Sequence, residues 1–147
     1  TDTDSKRLAT LRQVFASSDQ VRVFSMPELR DRFAGQADLI LLDVPCSNTG
    51  VMRRRVDLRC RIRPADIERL RATQLELLDQ AASFLKPGGT LIYSTCSLEP
   101  EENDGVVRCF LSKRAEFKLA DKRELLPFVD GVDGAYVAKL MRQHVKA

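Results

Sequence analysis

Residues 85–103, LKPGGTLIYSTCSLEPEEN, contain the signals that decide the fold. Lys86-Pro-Gly-Gly89 predicts the end of an amphipathic helix, because proline cannot continue a helix and glycine commonly follows one. Thr90–Thr95 is a short apolar run that predicts a buried strand. Pro100 and the two glutamates after it predict another helix, since proline fits the first helical position and acids favour the positive end of the helix dipole. The stretch therefore predicts helix, strand and helix in succession.

The same alternation extends over the rest of the chain. Asp38–Asp43 is a continuous apolar run bounded by acids, which is typical of a strand buried on both faces of a parallel sheet. Strands that alternate with helices imply an α/β fold with a mainly parallel sheet, in which the last strands can be antiparallel. The predicted helices begin near Asp4, Ser25, Pro64 and Pro100, and the predicted strands lie at 21–23, 38–43, 90–95, 116–119 and 135–141.

The composition indicates one folded unit. Its 147 residues lie within the roughly 100–200 residues of a typical domain, and 44% apolar residues are enough for a hydrophobic core. The longest apolar runs, such as Leu39–Leu42, are far shorter than a membrane span, so we expect no contact with a membrane. The first residues lack the features of a signal peptide, which predicts a cytoplasmic location.

Two of the four cysteines follow predicted strands. Ligands of α/β sheets bind beyond the carboxyl ends of the strands, where Cys46 and Cys96 stand in loops of Pro, Ser, Asn and Gly residues. A thiol near arginines or helix N-termini can have a lowered pKa and act as a nucleophile. Cys60 and Cys109 are interpreted as structural. The chain has no CxxC pair and a single histidine, His144, so the sequence predicts no metal site.

The net charge of +3 is small, but the basic residues cluster. Residues 53–63, RRRVDLRCRIR, include six arginines and one acid, Asp57. Clustered guanidinium groups suit phosphates and indicate a nucleic-acid backbone site. From charge alone, a solvated loop is an equally good interpretation. The candidate nucleic-acid-binding residues are Arg53, Arg54, Arg55, Arg59, Arg61 and Arg63.

Several stretches together resemble the Sun-type RNA cytosine-5 methyltransferases. They are DVPCSNTGVMRR at 43–54, the stretch at 85–103, DGAYVAKL at 133–140, and TDTDSKRL at 1–8, which is similar to the family's second cofactor motif. The resemblance covers nearly all of the chain. It implies a Rossmann-like class I methyltransferase fold, S-adenosylmethionine as the cofactor, and a ribosomal or transfer RNA as the substrate and partner.

The resemblance also implies roles for single residues. Carbon 5 of cytosine is a poor nucleophile, so the family first adds a thiolate to carbon 6, and the attacking cysteine maps onto Cys96. Cys46 maps onto the cysteine that assists breakdown of the covalent adduct. Asp43 would bind the cytosine edge or the methionine end of the cofactor, and Asp2 would bind the cofactor ribose. Ser25 stands where the family has an adenine-contacting acid, and a helix-capping role is its competing interpretation.

The family's first strand and Gly-rich cofactor loop should precede Thr1, as should an upstream RNA-binding region. We therefore expect residues 1–147 to be a single partial catalytic domain, truncated at its N-terminus and inactive by itself. The absent strand is central in the family's sheet, so its loss would leave sheet edges unpaired. Either Val21–Phe24 pairs with Asp38–Leu42, or a second chain fills the gap by self-association.

Three other functions remain open from the sequence. A DNA cytosine methylase would attack with the Pro-Cys cysteine, Cys46, although the Thr-Cys segment argues against it. A non-catalytic RNA-binding module would use the arginines of 53–63 and keep the methylase part only as a scaffold. A redox-sensing pair of cysteines is the third and most remote alternative.

Overall fold

The computed structural model describes residues 1–144, which contain one four-stranded sheet and six α-helices. The sheet order is β1-β2-β4-β3. In chain order, the elements are α1 (Ser5–Val14), α2 (Met26–Phe33), β1 (Ala37–Asp43), α3 (Leu58–Arg61), α4 (Pro64–Phe84), β2 (Leu85–Thr95), α5 (Asp104–Lys113), β3 (Phe117–Leu125), α6 (Pro127–Asp130) and β4 (Ala135–Arg142). A short 3₁₀ turn, Thr49–Val51, lies between β1 and α3.

The sheet combines one parallel pairing with two antiparallel ones. β1 runs parallel to β2, with Asp43 opposite Ser94. β4 lies antiparallel between β2 and β3. The α/β fold and the antiparallel last strands are therefore confirmed, but the expected mainly parallel sheet is wrong for residues 1–144. The reason lies in β4: after α5, β3 runs in the same direction as β2, but β4 returns through the short segment that contains α6 and inserts between them. Both pairings of β4 are therefore antiparallel.

The hydrophobic core lies between the sheet and the pair α4 and α5. β2 and β4 turn alternate side chains towards the helices, among them Leu91 and Tyr93 on β2 and Leu140 on β4. Helix α4 contributes Leu78, and α5 contributes Phe110. Each fully buried side chain of this size stabilises the fold by about 2 kcal/mol, so the core fixes β2 against both helices. Within residues 1–144, no helix combines the length and the hydropathy that crossing a bilayer requires.

Several predicted boundaries move in the structure. α4 ends at Phe84, and β2 begins directly at Leu85, so the Pro-Gly-Gly segment belongs to the strand. Gly88 has a φ of +82°, and the register of β1 and β2 shifts between Ala37 and Leu39, which accommodates the proline. α5 begins at Asp104 instead of Pro100, because residues 100–103 form a turn that directs Glu102 inward.

The predicted strand at 21–23 is wrong: residues 20–25 have no regular structure. Phe24 packs edge-to-face on Phe33 of α2, with ring centroids 5.1 Å apart, so this segment lies against its own helix. Consequently, Val21–Phe24 does not pair with Asp38–Leu42.

The prediction that β1 is buried on both faces is also wrong. Within residues 1–144, β1 pairs only with β2, at the edge of the sheet. Ile40 and Leu42 pack against the core, whereas Leu39 and Leu41 point away from it, and Leu41 is 72% exposed. An apolar run is buried on both faces only where neighbouring elements cover both, and among the described residues only one face of β1 is covered.

Candidate functional site

The loops that follow β1 and β2 meet at the carboxyl edge of the sheet. Because the two strands are parallel and adjacent, both chains leave the sheet on the same side, and the ladder continues as the Val44 N–H donates to the Ser94 carbonyl at 3.2 Å. The Gly50 N–H donates to the Cys96 carbonyl at 2.9 Å. The structure brings Cys46 and Cys96 together, with 3.3 Å between their sulfur atoms.

Asn48 holds both cysteines in place. Its backbone is left-handed, with a φ of +58°, which turns its side chain back over the loop. The amide Nδ2 donates to the Cys46 carbonyl at 2.9 Å, and Oδ1 accepts from the Cys96 thiol at 2.9 Å. Sequence reasoning missed this residue. The signal was present, because asparagine tolerates the left-handed conformation better than most residues do.

The buried carboxylate of Glu102 connects the two cysteine loops by hydrogen bonds. Glu102 is fully buried and accepts hydrogen bonds from the Ser47 N–H at 3.0 Å, the Gln74 side chain at 2.8 Å and the Ser97 hydroxyl at 2.6 Å. A buried charge is stable only when it is paired or hydrogen-bonded, and three donors from three segments meet this need. Sequence reasoning read this glutamate as the first turn of a helix and missed its contacts. The positions of these residues in the sequence do not indicate that their side chains come together.

The sulfur contact makes the two thiols unequal. The Cys46 thiol, which is only 9% exposed, can donate to Cys96, and this hydrogen bond lowers the pKa of Cys96 to about 7. The same contact, together with burial, raises the pKa of Cys46 well above its usual value. In the neutral pair the Cys96 thiol donates to Asn48, and on ionisation it becomes the acceptor of the Cys46 proton. Cys96 is therefore the thiol that ionises first.

Asp43 lies at the last position of β1, beside the cysteine pair. Its carboxylate accepts a hydrogen bond from the Ser94 hydroxyl at 3.2 Å and is otherwise exposed. It lines a cavity of about 760 Å³, whose wall also includes Asp2, Phe24 and Pro45. The lining of this cavity therefore combines two carboxylates with many aromatic and aliphatic side chains.

The two other predicted cofactor residues, Asp2 and Ser25, differ in whether they line this cavity. Asp2 lines the cavity, and its carboxylate accepts hydrogen bonds from Arg7, with 2.9 Å to Nε, which lower the pKa of Asp2. Ser25 does not line the cavity. Its N–H and its hydroxyl both donate to Glu28, each at 2.7 Å, in the capping box that starts α2. The structure therefore brings Asp2 and Asp43, but not Ser25, to the cavity.

The arginines of 53–63 are exposed, and several form ion pairs. Arg53 and Arg54 both contact Asp133, with Nε–Oδ distances of 2.7 and 3.1 Å. Arg55 and Arg61 both contact Asp57. For Arg59 and Arg63, no carboxylate within residues 1–144 lies closer than 4.0 Å. Over that same range, no three His, Cys, Asp or Glu side chains are grouped as a metal site would require.

Comparisons with known proteins assign the chain to a family. The family model described as 16S rRNA methyltransferase RsmB/F matches residues 2–141. The chain is 46% identical over 115 residues to ribosomal RNA small subunit methyltransferase B of Erwinia tasmaniensis, a match that covers 74% of the chain and 27% of that relative. The chain thus spans about a quarter of the length of the curated relatives it matches.

Two solved structures share the fold over nearly the whole chain. PH0851 superimposes with a TM-score of 0.83 at 30% identity, covering 95% of this chain and 35% of that one. NSun6 from Pyrococcus horikoshii, solved with SFG, superimposes with a TM-score of 0.80 at 28% identity and covers 99% of this chain and 41% of that one. The architecture of the described residues is therefore that of a Rossmann-like methyltransferase.

Proposed function

The chain belongs to the RsmB/F family of 16S rRNA methyltransferases, and from this membership we propose that it carries the catalytic cysteines of an RNA cytosine-5 methyltransferase. The observation that supports the proposal is the contact of Cys46 and Cys96, 3.3 Å apart at the carboxyl ends of two parallel strands. The proposed substrate is a cytosine of ribosomal RNA, and the proposed cofactor is S-adenosylmethionine.

Cys96 is the proposed nucleophile. Its thiolate forms near neutral pH, because the Cys46 thiol stabilises it by a hydrogen bond. The thiolate adds to carbon 6 of the cytosine, and the electron pair of the 5,6 double bond moves to carbon 5, which then accepts a methyl group. A solvent base takes up the carbon 5 proton, the electron pair of the carbon–hydrogen bond re-forms the 5,6 double bond, and the carbon–sulfur bond breaks, so that its electron pair returns to Cys96.

Cys46 and Asp43 are proposed to assist. The Cys46 sulfur is within proton-transfer distance of the Cys96 sulfur, which supports a role in breakdown of the adduct and release of the product. Asp43 lies at the end of β1, just before the loop of Cys46, and its charge opposes ionisation of Cys96; we propose that it faces the reacting ring. A carboxyl group that hydrogen-bonds the ring edge can stabilise the charge that develops during thiolate addition.

The residues of the cavity fit part of the cofactor. A carboxylate such as Asp2 commonly binds a ribose in Rossmann-like folds, and Phe24 and Met26 offer apolar contacts to a purine. Asp43 and Pro45 also line the cavity, and Pro45 directly precedes Cys46 in the chain. When bound, S-adenosylmethionine supplies an electrophilic methyl group. Before β1 the chain has a single glycine, Gly35, and hence no Gly-rich loop, so we propose that residues 1–147 alone bind the cofactor weakly and are inactive.

We further propose that residues 1–147 are one partial catalytic domain that acts in the cytoplasm. The arginines of 53–63 are proposed to bind the phosphates of the RNA, since their side chains are exposed beside the loop of Cys46. The exposed edge strand β1 supports self-association of the chain.

The cofactor proposal is tested by calorimetric titration of S-adenosylmethionine. The titration uses the chain and a fusion in which the upstream segment of the Erwinia tasmaniensis relative precedes Thr1. We expect binding by the fusion and weak or no binding by the chain. Binding by neither, together with retained binding of RNA, would favour the non-catalytic RNA-binding module.

The covalent step is tested in the same fusion with RNA that contains 5-azacytosine, by scoring the protein–RNA adduct on a denaturing gel. Cys96→Ser should abolish the adduct, and Cys46→Ala should preserve it, because only Cys96 bonds to the ring. Cys109→Ala, a partly buried thiol on α5, is the matched control. Loss of the adduct with Cys46→Ala but not with Cys96→Ser would contradict the assignment and favour the attack mode of DNA cytosine methylases.

A further inference from the structure

The segment between β3 and β4 exposes apolar side chains that the proposed function leaves unused. Phe128 on α6 is 81% exposed, and its neighbours Val129 and Val132 are also exposed. Single exposed aliphatic residues are common on protein surfaces. A phenylalanine with most of its ring in water, next to two further apolar side chains, instead indicates a contact surface. We call residues 126–132 the Phe128 turn.

The Phe128 turn is held in one shape by its own hydrogen bonds. The Leu126 N–H donates to the Asp130 carboxylate at 2.7 Å, and the Asp130 N–H donates back to the Leu126 carbonyl at 2.8 Å. Pro127 fixes the backbone at the start of α6, and Gly131, with a φ of +68°, ends it. The aromatic ring is therefore presented to solvent from an ordered turn.

The Phe128 turn lies directly beside two of the exposed arginines. Asp133, next to the turn, accepts from Arg53 Nε at 2.7 Å and contacts Arg54 Nε at 3.1 Å. Arg53 Nη1 also donates to the Gly131 carbonyl at 3.5 Å. Each guanidinium keeps further N–H groups for a second partner, because its fork carries five donors. An aromatic surface and two cations thus lie side by side.

The same segment is connected to the cysteine loops. The Gly134 N–H donates to the Gly50 carbonyl at 2.9 Å, and the Gly50 N–H donates to the Cys96 carbonyl at 2.9 Å. Only a few residues of backbone therefore separate the Phe128 turn from the site of the proposed chemistry. The Phe128 turn, Arg53 and the two cysteine loops therefore belong to one connected part of the molecule.

We propose that Phe128 stacks on an unpaired base of the RNA next to the target cytosine, while Arg53 and Arg54 bind the adjoining phosphates. This inference rests on the proposed function, since it takes RNA as the substrate. Unpaired bases commonly stack on exposed aromatic rings, and the phosphate backbone is neutralised by arginines beside them. An apolar protein partner would match Phe128 and Val129 but would not use the guanidinium N–H groups that Arg53 and Arg54 keep besides their contacts with Asp133.

The test measures binding of a short, fluorescein-labelled single-stranded RNA by fluorescence anisotropy over a range of salt concentrations. Phe128→Ala should weaken binding about tenfold and leave the salt dependence unchanged, because stacking involves no counterion release. Phe128→Trp should retain the affinity, whereas Phe128→Leu should behave like Phe128→Ala, since leucine lacks a π face. Arg54→Ala should weaken binding and reduce the salt slope by about one.

Val14→Ala is the matched control, because Val14 is an apolar side chain that is 65% exposed on a different element, α1, and its truncation should not change RNA binding. Wild-type affinity in Phe128→Ala or Phe128→Leu, with weakened binding in Arg54→Ala, would overturn the stacking role and leave the proposed function intact. Absence of RNA binding by the wild-type chain would count against both. Thermal melts of all variants should coincide, since each substituted side chain is exposed.

Discussion

The pKa values of Cys96 and Cys46 differ because their surroundings differ. Cys46 is buried and serves as the donor, whereas Cys96 is half-buried and receives the hydrogen bond in its ionised form. A hydrogen bond to the charged form favours ionisation, and burial opposes it. At the residue scale, the site therefore separates a reactive thiolate from a thiol that retains its proton.

We expect the rate of Cys96 alkylation by iodoacetamide to rise with pH, to reach half of its maximum at about pH 7, and to level off about one pH unit higher. The thiolate is the reactive form, and the pKa of Cys96 is lowered to about 7, so lower pH protonates the sulfur and slows the reaction. Peptide mass spectrometry resolves the rate at each cysteine. Cys46→Ala should shift the Cys96 profile to higher pH, because the stabilising donor is lost. An identical profile in Cys46→Ala would contradict the pairing.

At this scale the sequence predicts which residue types lie near each other but not their contacts. The proximity of Cys46 and Cys96 follows from their positions after two neighbouring parallel strands. The contacts of Asn48 and Glu102 could not be predicted, because they join segments about 50 residues apart in sequence. Such contacts depend on side-chain directions that only the packed loops define.

At the element scale, the three loops around the site are joined by close backbone contacts. A Cβ atom at Gly50 would lie 2.7 Å from the Cys96 carbonyl oxygen and closer still to the Gly134 carbonyl. No side chain fits there, so a glycine is required at this crossing. The loops after β1 and β2 and the segment before β4 are therefore in direct backbone contact at Gly50.

We predict that Gly50→Ala lowers the free energy of unfolding by about 2 kcal/mol, since the added methyl group must force backbone segments apart. It should also slow alkylation of Cys96, as the two sulfur atoms separate. Urea denaturation and mass spectrometry measure the two effects. Gly35→Ala is the control. Gly35 has a φ of +68°, so alanine there is destabilised by about 1 kcal/mol through backbone strain. Its added Cβ atom contacts no other atom, so this variant tests strain without separating the loops. Equal thiol reactivity in both variants would contradict the coupling.

The sequence predicts elements best where the signal is local. The cap of α1 at Asp4, the long helix α4 and the last strand β4 are confirmed. The prediction of a strand at 21–23 is wrong, because alternating valines match the pattern of a strand but do not provide a partner strand for it to pair with. The start of α5 was displaced because the side chain of Glu102 is bound by the loops, a tertiary contact that outweighs the helix-starting signal at Pro100.

At the scale of the whole molecule, the exposed edge of the sheet is the feature that most favours association between copies of the chain. Among the described residues, β1 has one neighbouring strand and presents Leu39 and Leu41 to solvent. An edge strand with apolar side chains is a template for pairing with another chain. The expected consequence is association of two or more copies.

We expect the chain to show concentration-dependent association in sedimentation velocity, and Leu41→Lys to reduce it to the monomer. A charged side chain on the exposed face of β1 opposes pairing of two edges and costs little in the free chain. Val14→Lys, at a similarly exposed position on α1, should leave association unchanged. A monomer at all concentrations in the wild-type chain, or equal association in Leu41→Lys, would contradict an interface at β1.

By itself, the sequence determined the α/β class, the two cysteine loops and their place at the carboxyl ends of strands. These follow from local periodicity, helix-stop signals and chain direction, all of which are encoded in neighbouring residues. Only the tertiary structure decided the 3.3 Å contact of the sulfur atoms, the buried carboxylate of Glu102 beneath them and the exposed edge of β1. The physical reason is that burial and hydrogen-bond geometry depend on which distant segments pack together, and the sequence of one segment does not specify its packing partners.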